Sequence, residues 1–133
     1  VPVGKYLHPN GDGSLIFWEN GYFGSLYTVN TFANYCRVDL DDGLTPNVWH
    51  HVVVTMDHID GMIMYVDNVR ADFAGWRGQV AKSRTSEPLR FGIINSVHLT
   101  EKPVPFKGAI SDFAVYNRVL TEAERTQLYT STK

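Results

Sequence analysis

Residues 47–67, NVWHHVVVTMDHIDGMIMYVD, decide the fold of this chain. The run Val48–Asp57 is the most β-prone in the sequence, and Val52, Val53 and Val54 in succession fit a strand buried on both faces, as in the middle of a sheet. Asp60-Gly61 then reads as a hairpin turn into a second apolar run, Met62–Asp67. Asp67-Asn68 is a second tight turn, returning through Val69–Phe73. Strand, turn, strand, turn, strand within thirty residues is the signature of an antiparallel meander.

Working outward, the same grammar continues. Residues 14–20 are β-prone and end at Asn20-Gly21, a hairpin signal, with 22–29 as the natural partner strand. Residues 31–40 alternate: Phe32, Cys36, Val38 and Leu40 share a core face with Asn34 as the exception, while Tyr35, Arg37 and Asp39 share the outward face. Asp41-Asp42-Gly43 and Pro46-Asn47 are turns, 75–87 and 95–105 are loops, and Pro88–Ile94 and Phe106–Arg118 read as strands. A helix closes the chain, with Thr121 as its N-cap and Glu124 three residues on completing a capping box. The expectation is an all-β fold: an antiparallel two-sheet sandwich or barrel with one short C-terminal helix.

Composition bounds what such a fold does. The chain has 133 residues, a one-domain length, with 44% hydrophobic and 20% charged residues, as a globular core requires. A net charge of −2 argues against a broad footprint for nucleic acid, and no apolar run is long enough for a membrane span. The single cysteine, Cys36, excludes an internal disulfide. A chain beginning at Val1 reads as a piece of a longer polypeptide.

Two stretches resemble the laminin G-like, concanavalin A-like jelly-roll family of pentraxins, bacterial glycan-binding modules and viral surface proteins. One is Asn47–Asp67, a Trp with a nearby His, an apolar strand, a Thr, an Asp-Gly turn and a second strand ending in Tyr-Val-Asp. The other is Phe106–Tyr129, FKGAISDFAVYNRVLTEAERTQLY, which resembles the family's closing strand and helix. The resemblance implies a single jelly-roll domain over 1–133, with Trp49, Ile63, Tyr65, Phe91, Phe106, Ile110 and Val115 in a two-sheet core and Tyr116 and Leu120 docking the helix. It also places His51 in the core beside Trp49, and Gly108 where another backbone approaches. Three strands are counted ahead of Trp49, fewer than the family carries. Either the domain is a short version or N-terminal strands are missing, and a shortened sheet exposes an edge that invites a homo-oligomer or a neighbouring domain.

The function implied is a non-catalytic carbohydrate-binding or adhesion module of a larger protein, extracellular or on a cell or virion surface. Sugar rings stack on flat aromatic faces while fixed polar groups bond their hydroxyls. Tyr35 and Arg37 share the outward face, Trp18 or Tyr27 is a candidate to join them from an adjacent strand, and Trp76-Arg77 lie in a Gly-flanked loop. There Trp76 either meets a ligand or folds back to close the core. Calcium is the family's common ion, and it takes about six to eight oxygen ligands. The acidic turn of Asp39, Asp41 and Asp42, with Asp112, supplies the candidate ligands, although Ser111 replaces the first acid of the family's pair. Lys82, Arg84, Arg77 and Arg90 form a modest basic region. His50 and His51 are adjacent on a strand and point to opposite faces, which suits structure better than a metal pair. The paired strand carboxylates of the fold's glucanases have no match here. The rival readings are a structural or protein-interaction domain and a glycoside hydrolase.

Overall fold

The computed structural model describes residues 2–8, 12–19, 22–29, 32–39, 44–77, 85–93, 95–96 and 105–132. Among them the strands are β1 (Val3–His8), β2 (Gly13–Glu19), β3 (Tyr22–Val29), β4 (Phe32–Asp39), β5 (Val52–Asp57), β6 (Gly61–Val66), β7 (Val69–Ala74), β8 (Arg90–Phe91) and β9 (Asn95–Ser96), followed by helix α1 (Glu122–Ser131). They form two sheets. The larger runs β4-β3-β2-β1-β8, with β9 added parallel to β1; the smaller is the meander β5-β6-β7. The architecture is the two-sheet, mostly antiparallel sandwich with a short C-terminal helix that the sequence predicts.

Turn chemistry sets the register. The β2–β3 hairpin closes with Glu19 opposite Tyr22. Asp57 Oδ1 accepts the N–H groups of Ile59 (2.7 Å) and Asp60 (2.6 Å), shaping the turn that brings Gly61 opposite Asp57. Gly61 sits at φ +77°, and a Cβ there would overlap the carbonyl of Ala74, so only glycine fits. Asp67 and Asn68 both adopt left-handed φ values, 50° and 64°, the type I′ pattern that matches the twist of a two-residue hairpin.

The sheets meet through β4 and the meander. Phe23, Cys36, Leu44, Met62 and Met64 form the buried cluster, with Ile16, Tyr27, Val52, Val54 and Val66 packed on it. Period-two alternation carries this directly: Met62 and Met64 are fully buried, and Cys36 beneath them donates its thiol to Met62 O at 3.1 Å. On its other face the meander meets α1. Arg125 lies over the Tyr65 ring at 3.9 Å, Asn68 Nδ2 donates to Thr126 Oγ1 at 2.9 Å, and the rings of His51 and Tyr129 are 5.8 Å apart. The predicted capping box is present, and Arg118 adds a fork on Glu124 at 2.6 and 2.9 Å. Leu120 is buried under the helix, as expected.

Several expectations are corrected. Among the described residues four strands precede Trp49, not three; Gly4 interrupts the apolar pattern of β1 and hides it from a period-two reading. The strand at Pro88–Ile94 contracts to Arg90–Phe91. Phe106–Arg118 joins no sheet among the described residues. Asp112, at φ +53°, turns the chain out of an extended run. Its apolar residues are therefore exposed: Ile110, Val115 (80%) and Tyr116, together with Phe91. Phe91 and Phe113 meet edge to face at 5.1 Å, and it is the Phe106 ring, not a backbone, that lies against Gly108. Trp49 is 68% exposed and not a core residue, because the chain becomes a strand only at Val52. Finally, among the described residues β5 is an edge strand and not a central one.

Two predictions follow from this packing. Burial, reinforced by the negative charge of Asp72, pushes the Cys36 thiol up to about 11. At pH 8 about one thiol in a thousand is then ionised. Native protein is expected to resist a colourimetric disulfide reagent and to react fully in denaturant; rapid native reaction would mean that the sheets separate. The Arg118 hydrogen bonds, then those from the Thr121 amide and hydroxyl, hold the Glu124 carboxyl down to about 2, against its ordinary 4.5. A lowered carboxyl stabilises above its unfolded value and loses that contribution as pH falls from about 4.5 to about 2. Melting temperature is expected to drop across this window, and less so in Glu124→Gln.

Candidate functional site

The best-defined surface feature lies where β7 leaves the meander. Asn34 on β4 is buried, 1% exposed, on the face that alternation gives to the core. A buried carboxamide needs partners. It finds them in one residue: Arg77 N–H donates to Asn34 Oδ1 at 2.6 Å, and Asn34 Nδ2 donates to Arg77 O at 3.3 Å. This two-bond clamp fastens the 75–77 segment across the larger sheet. Gly75 has open space around its Cα, and Trp76 then lies on Tyr27, with ring centroids 5.7 Å apart and planes at 40°. Tyr27 is directly opposite Asn34 in the β3–β4 register, so ring, clamp and loop occupy one place. Trp76 is half-buried and Arg77 is exposed. The indole Nε1 is buried and has no hydrogen-bond partner among the described residues.

The remaining candidates are distributed differently. Tyr35, 44% exposed, follows Asn34 and so lies on the opposite face of β4 from Trp76. The sandwich does not bring these two aromatics together. Arg37 is in register with Gly24, Trp18 with Phe23, and Asp39 with Tyr22. Asp41, Asp42, Lys82 and Arg84 lie outside the described residues; Arg90 is exposed on β8. Asp112 is exposed and accepts the Ser111 hydroxyl at 2.8 Å. No group of three His, Cys, Asp or Glu side chains able to hold a metal occurs among the described residues. Asp112 alone does not supply the oxygen shell of about six to eight ligands that Ca²⁺ takes.

The histidines serve the hairpin. His50 Nδ1 is 2.7 Å from Asp67 Oδ2, His50 Nε2 is 3.3 Å from Thr45 O, and the His51 amide donates to Asp67 Oδ1 at 2.9 Å. Burial raises the Asp67 carboxyl, but the bonds from His50 and from the His51 amide outweigh it and leave the group below its usual range. With both nitrogens of His50 engaged by Asp67 and Thr45, the arrangement is a clamp on a turn. His51 packs on Tyr129 beside the helix, and not on Trp49 in a core.

Sequence reading missed the partnership of Asn34 and Arg77. Its one visible signal was Asn34 itself, a polar residue on the apolar face of β4. Nothing in the sequence announces that a loop forty residues away supplies its partner.

A family model described as the concanavalin A-like lectin/glucanases superfamily, of laminin G type, matches residues 4–124. The chain belongs to that superfamily. Among solved structures it is similar to an S-layer domain-containing protein from Clostridium thermocellum, at 18% identity and a TM-score of 0.40, covering 91% of this chain. The chain spans 58% of that neighbour. No curated protein matches it.

Proposed function

We propose that this chain is a non-catalytic carbohydrate-binding module, carried on the outside of a cell or virion as part of a larger protein. The observation that carries the reading is the clamped aromatic rim: Trp76 set on Tyr27 and followed by exposed Arg77, all held by Asn34. A ring fixed in advance loses little entropy when a sugar stacks on it. Arg77 beside it offers a fork of donors to hydroxyls or to an acidic or sulfated sugar. Membership of a lectin and glucanase superfamily supports the ligand class. The rim is preferred to the Tyr35 face because its parts are held by named bonds, so it is pre-organised. A calcium requirement, through Asp39, Asp41, Asp42 or Asp112, remains part of the proposal to be tested beside it.

Binding to a broad glycan panel tests this, with calcium and again with a chelator. Micromolar-to-millimolar binding is expected, of the strength typical of single aromatic platforms. Trp76→Ala should weaken it about tenfold or more, as losing a stacking anchor does, while Tyr35→Ala leaves it unchanged. The reverse pattern would move the site to the outer face of β4. Loss with chelator would bring in the acidic residues. Release of reducing sugar would make the protein a hydrolase. Failure of folded protein to bind any glycan would overturn the proposal.

A further inference from the structure

The smaller sheet ends on the wrong strand. Val52, Val53 and Val54 have the composition of a strand flanked on both sides, yet β5 pairs only with β6 and forms the sheet edge among the described residues. Asp67 N–H bonds His51 O at 2.8 Å, and the register pairs Val53 with Tyr65, Thr55 with Ile63 and Asp57 with Gly61. In an antiparallel ladder alternate residues bond to the same neighbour. The N–H and C=O groups of Val52, Val54 and Met56 therefore point away from β6, along the open edge. Short charged edges, bulges or prolines protect such strands. None of these interrupts Val52–Met56. Exposed apolar residues flank the strand at both ends, Trp49 (68%) before it and Ile59 (80%) in the turn after it.

We infer that β5 pairs antiparallel with β5 of a second copy of this chain, about a two-fold axis at Val54, forming a dimer with one sheet continuous across both protomers. The argument for a second copy is self-complementarity. With Val54 opposite its own symmetry mate, Val52 faces Met56, apolar against apolar, and Val53 faces Thr55, a β-branched pair. One step further out, His51 faces Asp57. Asp57 is held ionised by the Asp60 and Ile59 amides, and His51 Nδ1 is buried without a partner among the described residues. His50 then faces His58, and beyond that pair Trp49 of one copy and the turn residue Ile59 of the other, the two most exposed apolar groups near the strand, fall at the same end of the interface. A two-fold interface repeats each of these pairs twice. A slip by one residue loses the His51–Asp57 pairing and sets each valine against the wrong face. The contact also leaves β7 free at the other side of the meander, so each dimer presents two Trp76 rims. That would convert weak single-site binding into avidity on a repetitive surface.

Sedimentation equilibrium over a concentration series tests the dimer, with folding monitored by circular dichroism. The wild-type chain is expected to move from its 15.0 kDa monomer to twice that mass as concentration rises. Ile59→Glu, in an exposed turn where only the backbone of Ile59 bonds to Asp57, should raise the dissociation constant about tenfold or more. Met56→Pro, which removes an outward N–H without touching the β6 ladder, should do the same. A folded protein that stays monomeric at every concentration overturns the inference. So does a dimer that Ile59→Glu leaves unchanged, because that dimer would be built on another surface. Glycan binding is read separately, so failure of either proposal leaves the other standing.

Discussion

The contact between Cys36 on β4 and Met62 on β6 fixes how the two sheets lie on each other. It is a thiol-to-carbonyl hydrogen bond inside the apolar cluster, and both residues are fully buried. Strand side chains alternate, so setting Cys36 inward also sets Asn34 inward and Tyr35 outward. On β6 it sets Met62 and Met64 inward and leaves Ile63 and Tyr65 to face the helix. The clamp of Asn34 on Arg77, the seat of Trp76 on Tyr27 and the stacking of Arg125 on Tyr65 are each consequences of that one register. Methionine suits this position because its flexible side chain fills an irregular gap between two twisted sheets.

Local chemistry was the legible part of the sequence. The hairpins at Asp60-Gly61 and Asp67-Asn68, the capping box of Thr121 and Glu124, and the core position of Cys36 are each determined by neighbours within a few residues, and each was readable. What failed was the inference from strand-like composition to a strand. Phe106–Arg118 has the residues for one, but a strand exists only where a second edge meets it. Asp112 turns this segment away instead. Trp49 was misplaced for the same reason: composition marks a residue as suited to a core and does not supply the layer that covers it. Of the site, Trp76 was visible as an aromatic in a loop. The clamp that holds it was not, because Asn34 and Arg77 are joined only by the way β4 and β7 fold against each other.

The sandwich thus separates two surfaces that the linear sequence does not distinguish. The rim at the end of β7 is polar, aromatic and fastened by hydrogen bonds. The edge at β5 and the segment after Phe106 are apolar and open. Members of one superfamily diverge in what they bind through such peripheral features, since the core residues that define membership say little about ligands. Here the core and the rim share residues: Tyr27 packs on the buried cluster and carries Trp76, and Asn34 is at once a buried member of β4 and the anchor of the loop.

The two left-handed residues at Asp67 and Asn68 carry a consequence for how the chain is assembled. Together with the short turn after Asp57, they let three strands pair across loops of a few residues, where the entropy of closing the loop is small. Pairing β1 with β8, by contrast, joins Val3 to Phe91 and must gather most of the chain before a single bond forms. The β5–β7 meander and the β1–β4 run of hairpins are therefore the parts of the fold that local contacts can nucleate, and adding β8 to β1 comes at a much greater cost in chain freedom.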